Sequence, residues 1–131
     1  MTHEPQFLTL AEILYFHDYQ IKRFGGEQGI RDEGLLESAI AQPRAGFGGR
    51  WLHPTLYDMA AAYAFHICKN HPFLDGNKRT SMVAALVFLD TNGISIQDPK
   101  EQLPEAIERI AKGEMNKAEF AGLLRELSIE V

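Results

Sequence analysis

Apolar residues recur every three or four positions along most of this chain, the spacing that lines one face of a helix. Leu10, Ile13, Leu14 and Ile21 mark such a face over residues 9–24. Thr9 and Glu12 form a capping-box pattern at its start, and Gly25-Gly26 supplies a stop. After a loop at residues 26–29, Leu35, Leu36, Ala39 and Ile40 define a second helix over residues 32–42, which Pro43 ends. A third helix covers residues 55–69, where Ala60, Ala61, Ala62 and Ala64 allow close packing; Pro72 then forces residues 70–71 out of the helix. The fourth starts near Asn77 and ends at Gly93, and its middle is apolar nearly all round, as expected of a central buried helix. Residues 94–96 read as a short strand or merely extended chain. A fifth helix over residues 104–112 opens with Pro104 near its first position and stops at Gly113. The last, over residues 116–127, carries Phe120, Leu123, Leu124 and Leu127 as its apolar stripe, and residues 128–131 are expected to fray. Residues 45–54 are glycine-rich and hold Phe47, Arg50 and Trp51, which suits a mobile loop or short hairpin. With neither repeat, low-complexity tract nor linker in view, the pattern gives one mostly helical domain over residues 1–131.

Composition narrows the function classes. A chain of 131 residues is long enough to bury about two-thirds of its unfolded surface. No apolar run approaches the roughly 18 residues of a membrane span, and the polar start lacks the basic-then-apolar pattern of a signal peptide. The single cysteine, Cys68, excludes an internal disulfide, and the expected compartment is the cytoplasm. Phe65 and Ile67 beside it suggest a structural thiol. The net charge of −5 argues against direct nucleic-acid binding, which needs a basic surface. A small anion needs only local positive groups.

Such groups stand together at residues 71–79, His-Pro-Phe-Leu-Asp-Gly-Asn-Lys-Arg. His71 is a candidate general base. Asp75 can hold a hard cation such as magnesium through its oxygens, or serve as a helix N-terminal carboxylate. Gly76 lets backbone approach an anion, and the free N–H groups around residues 77–80 suit phosphate. Asn77 can position phosphate or cap the helix. Lys78 and Arg79 would neutralise phosphate charge, unless they form no more than a solvated basic turn. Phe73 is expected in the core, with Thr80 and Ser81 structural. His66, His71 and Asp75 are near in sequence, but Pro72 breaks any common face, so a zinc cluster is not expected. His3, His17 and His53 carry no pattern of their own.

The same segment resembles the signature of the Fic/Doc family, His-x-Phe-x-Asp/Glu-Gly-Asn-x-Arg, at His71, Phe73, Asp75, Gly76, Asn77 and Arg79. Many Fic members carry Gly where Lys78 stands and a second Arg where Met82 stands. Lys78, Arg79 and Thr80 repeat the Asn-Lys-Arg-Thr run of the Doc branch instead, whereas Gly76 stands where the founding Doc member carries Ala. The stretch over residues 21–29, with Arg23, Gly25, Gly26 and Gly29, and the stretch over residues 86–93 are also similar to Doc. The resemblance implies an all-α bundle around a central buried helix, with residues 45–54 as a flap that docks the substrate protein. It implies catalytic roles for His71, Asp75, Lys78 and Arg79, nucleotide contacts from Gly76 to Arg79, and magnesium on Asp75. Lys78 with Met82 implies γ-phosphate transfer from ATP to a protein hydroxyl, by resemblance a threonine of elongation factor Tu, with translation arrest. The alternatives are AMP transfer of the Fic type and a non-catalytic nucleotide-binding module. No Ser/Thr-x-x-x-Glu-Gly/Asn inhibitory helix occurs in the chain. Inhibition is therefore expected from a separate antitoxin whose tail folds onto an apolar surface groove.

Overall fold

A computed structural model describes residues 4–130, so His3 lies outside the described residues. Among the described residues six α-helices, α1 (Leu10–Phe24), α2 (Glu33–Ala41), α3 (Leu56–Asn70), α4 (Asn77–Thr91), α5 (Gln102–Ala111) and α6 (Lys117–Leu127), form one bundle. Between α2 and α3 lie a 3-10 turn and a hairpin of β1 (Gly46–Phe47) and β2 (Arg50–Trp51). Among the described residues no helix is long and apolar enough to cross a membrane.

The helix starts follow local chemistry. Thr9 accepts from the Glu12 amide at 3.1 Å while Glu12 accepts from the Thr9 amide at 2.9 Å, closing the expected capping box. Thr55 with Asp58 and Asn116 with Glu119 close two more boxes, which the sequence reading did not single out. α5 begins two residues earlier than expected. Asp98 reaches forward to accept from the amides of Gln102 (2.7 Å) and Leu103 (2.8 Å), so capping from outside the helix outweighs the proline signal.

The core is one cluster in which Tyr63, Phe73, Phe88 and Phe120 are the largest enclosed side chains. α4 lies along α3 as a central element, but α3 is the more enclosed of the two. Its alanines let α2, α4, α5 and α6 all approach it, while Met82, Val83, Leu86 and Val87 of α4 keep partial exposure. Residues 128–130 do not fray as expected. They form β4 (Ser128–Glu130), which pairs antiparallel with β3 (Ile94–Ile96) and carries the chain's end back to the C-terminus of α4. In the hairpin, Gly48 (φ 60°) and Gly49 (φ 79°) make the left-handed turn that a tight connection needs. Trp51 packs edge-on against Phe7 at 5.4 Å, whereas Phe47 stands free at 92% exposure.

Candidate active site

Residues 70–76 link α3 to α4 in a corner that several side chains and a second loop hold in place. His71 sits at the left-handed C-cap of α3 (φ 51°). Arg31 straps that corner, donating from Nε to the His71 carbonyl (2.7 Å) and from its terminal nitrogen to the Asn70 carbonyl (2.9 Å). The loop between α1 and α2 runs alongside as a short ladder. Arg31 donates its amide to the Pro72 carbonyl (2.7 Å), Leu74 donates to Gly29 (3.0 Å), and Ile30 and Phe73 form an isolated antiparallel bridge. The ladder gives residues 29–31 a physical task, at the end of the 21–29 stretch for which the sequence offered similarity without a role. Gly26 is required there: a Cβ on it would meet Ile21 at 3.0 Å and the Asp75 Cβ at 3.1 Å.

Asn77 is 4% exposed and turns back into the loop. Its Oδ1 accepts from the Phe73 amide (2.9 Å), and its Nδ2 donates to the Phe73 carbonyl (2.9 Å) and faces His71 Nδ1 at 3.0 Å. The side chain does not cap α4, as one reading of the sequence had it; it clamps the loop. The N-cap of α4 is Gly76 (φ 80°), which contributes no side-chain cap, so the first amides of α4 keep their orphan donors. The Phe73 partners fix the orientation of the Asn77 amide, so an N–H points at His71 Nδ1. The neutral imidazole accordingly carries its hydrogen on Nε2.

A cleft of about 770 Å³ opens between this corner and α5, lined by His71, Asp75, Gly76, Lys78 and Arg79 and by Met82. All the residues singled out for chemistry therefore meet in one place; Asn77 also borders the cleft, with its side-chain amide turned back onto Phe73 and His71. Asp75 accepts the Glu27 amide on Oδ2 at 2.7 Å, which aims the carboxylate. Among the described residues no group of three His, Cys, Asp or Glu side chains can hold a metal by itself. A carboxylate aimed beside the uncapped first amides of α4 fits magnesium, which is usually shared between one or two carboxylates and substrate phosphates. Lys78 reaches across to Glu108 of α5, with Nζ 3.0 Å from both carboxylate oxygens. The Arg79 guanidinium lies 4.5 Å over the Phe24 ring. Ser81 donates to the Lys78 carbonyl (2.7 Å), a structural role as expected. Burial raises the Cys68 thiol above its ordinary pKa, which keeps it protonated and unsuited to nucleophilic work.

Two histidines behave differently from their bland sequence reading. His17 is buried, and its ring stacks on Phe73 at 3.8 Å beneath the loop. His53 is also buried, and its Nε2 shares the Lys117 ammonium with His66 Nε2, at 3.0 and 2.9 Å. His66 thus faces α6, away from His71. Burial first, then the Lys117 charge, pushes the His66 pKa down to about 4. Neither His17 on α1 nor His53 in the loop before α3 has a sequence signal for its arrangement, because the partners come from distant elements.

A model of the Fic/DOC family matches residues 7–89, α1 to most of α4, leaving α5 with Glu108 outside the match. The chain is similar to Protein kinase doc of Escherichia phage P1, 34% identical over 120 residues, which is 92% of this chain and 94% of that protein. It is also similar to Toxin Doc of Mycolicibacterium smegmatis (strain ATCC 700084 / mc(2)155), 47% identical over 73 residues; that match spans 56% of this chain and 56% of the relative's length.

Proposed function

The chain belongs to the Fic/DOC family, and from that membership we propose that it is a Doc-type toxin transferring the γ-phosphate of ATP to a protein hydroxyl. The observation that carries this reading is Lys78. Its side chain crosses the cleft to Glu108 and Met82 lines the wall, so the space is filled where an AMP-transferring member keeps room, and a second guanidinium, for distal phosphates. The name of the phage relative, a protein kinase, supports phosphoryl transfer. Gly76 is the one feature that favours AMP transfer, since its open backbone suits an anion.

In the proposed reaction the target hydroxyl oxygen attacks the γ-phosphorus, the bond to the β–γ bridging oxygen breaks, and ADP leaves. The hydroxyl proton goes to His71. To receive it on Nε2, the imidazole must first shift its resting hydrogen to Nδ1 and release Asn77, a cost of about one hydrogen bond, or ~1 kcal/mol. Lys78 leaves Glu108 to meet phosphate oxygens, and Arg79 with the first amides of α4 spreads the developing charge. Asp75 would hold magnesium, which when bound would supply neutralisation of phosphate charge. The target by resemblance is a threonine of elongation factor Tu, approached past the hairpin, where exposed Phe47 offers a contact. The name Toxin Doc supports a cognate antitoxin. Tyr15, Tyr19 and Phe24 of α1 are exposed, surface of the kind a folding antitoxin tail would cover.

ATP labelled separately at the α- and γ-phosphates tests this. The protein and its His71→Ala variant are incubated with magnesium and elongation factor Tu. Label from the γ-position alone, lost in the variant, is the expected result. Label from the α-position would establish AMP transfer instead, and nucleotide binding with no label on any protein of a cell extract would leave a binding module.

A further inference from the structure

His17, on the buried face of α1, touches the signature loop at three consecutive levels. Its imidazole stacks face to face on Phe73, with centroids 3.8 Å apart and planes 7° from parallel. Its Nε2 lies 2.8 Å from the Asp75 carbonyl, and because a carbonyl only accepts, Nε2 carries the hydrogen. A Cβ on Gly76 would come within 3.5 Å of the same ring. The His17 ring is thus the floor on which the loop turns into α4. Asp75 is held twice as a result: its side chain by the Glu27 amide at 2.7 Å, its main chain by His17.

We propose that His17 is a positioning residue for the cation site, fixing the direction of the Asp75 carboxylate through its hydrogen bond to the Asp75 carbonyl. This rests on the reading of Asp75 as the cation ligand in the proposed function, but not on which phosphate is transferred. The physical argument is rigidity. A residue with φ 80° follows Asp75 at Gly76, where the backbone has wide freedom. The Leu74 amide on Gly29 (3.0 Å) and the Thr80 amide on the Gly76 carbonyl (3.0 Å) hold the chain on either side, and the His17 bond fixes the peptide between them, to which the carboxylate is attached through the Asp75 Cα. Stacking on Phe73 sets the plane of the imidazole and hence the direction of its N–H. Partners one layer behind a ligand commonly alter metal affinity by about 10–100-fold when removed.

The test separates the hydrogen bond from the packing. His17→Phe keeps an aromatic ring on Phe73 and loses the donor; His17→Gln keeps a donor at the same reach and loses the ring. Mn²⁺ binding in the presence of saturating ADP is followed by electron paramagnetic resonance for the wild type, both variants and Asp75→Asn, with urea unfolding run in parallel. The expected result is a roughly tenfold loss of Mn²⁺ affinity in His17→Phe, recovery to within about twofold of wild type in His17→Gln, and near-complete loss in Asp75→Asn. A merely structural histidine would shift the urea midpoint of both variants and leave Mn²⁺ affinity of the folded protein unchanged. Wild-type affinity in His17→Phe with loss in Asp75→Asn overturns the positioning role alone. Wild-type affinity in Asp75→Asn overturns the reading of Asp75, and the positioning role with it.

Discussion

Replacing Asn77 with Ala should destabilise the whole fold, although the residue stands in the middle of a sequence read for phosphate chemistry. The side chain satisfies both the amide and the carbonyl of Phe73, a residue with no exposure, at 2.9 Å each. Truncation leaves two buried backbone groups without partners, at about 1–3 kcal/mol apiece. A water entering the vacated space recovers part of this, and alanine's better helix propensity returns about 0.5 kcal/mol. The expected loss is about 2–4 kcal/mol. For a domain of this size that lowers Tm by about 8–15 °C. Urea unfolding followed by circular dichroism measures it directly, with the slope against urea checked for constancy. Asn77→Asp is the informative companion: it retains the acceptor for the Phe73 amide and loses both donors, so it should fall between Ala and wild type. A loss below about 1 kcal/mol in Asn77→Ala would refute the clamp, and would return Asn77 to a phosphate-binding role in which stability is untouched.

Two further outcomes follow from the charges. On the proposed role of Lys78 at phosphate, its ion pair with Glu108 is a competitor, so Glu108→Gln should bind ATP more tightly by about threefold, within the ~0–1 kcal/mol of a half-exposed ion pair. Calorimetric titration measures the change, which should vanish in a Lys78→Met background; weaker binding in Glu108→Gln would contradict the competition. His66 has its pKa lowered from 6.5 to about 4 in the folded chain, so between these values the unfolded state binds the extra proton. Its stabilising contribution is therefore intact above pH 6.5 and is lost as pH falls toward 4. Discounted for its partly exposed ring, the loss is about 1–2 kcal/mol. Urea midpoints of His66→Gln should fall less steeply over that range than those of the wild type, and parallel curves would show that the Lys117 cluster does not hold His66 neutral.

Periodicity and caps settle most of this molecule locally. The faces of α1, α2, α3 and α6, the Thr9–Glu12 box and the stops at Gly25 and Pro43 are decided by residues within a turn or two of one another, so they are legible in the string. The grouping of the cleft residues is legible for the same reason: His71, Asp75, Gly76, Lys78 and Arg79 are near neighbours, and a left-handed corner followed by a helix start keeps them together. What the string conceals is set by contacts over long sequence separations. Asp98 moves the start of α5, residues 128–130 find the edge of β3, and the antiparallel pairing there depends on where the bundle brings the two ends. Glu108 reaches Lys78 across 30 positions, and His17 reaches Asp75 across 58. A buried polar side chain has no signature of its own in sequence, because its partner defines it. Asn77 looks like a surface residue of a phosphate loop until the fold turns it inward, where two unsatisfied backbone groups of Phe73 would otherwise be costly to bury. The residue types of the site were fixed by sequence alone; which of them face the cleft and which hold it open was decided by packing.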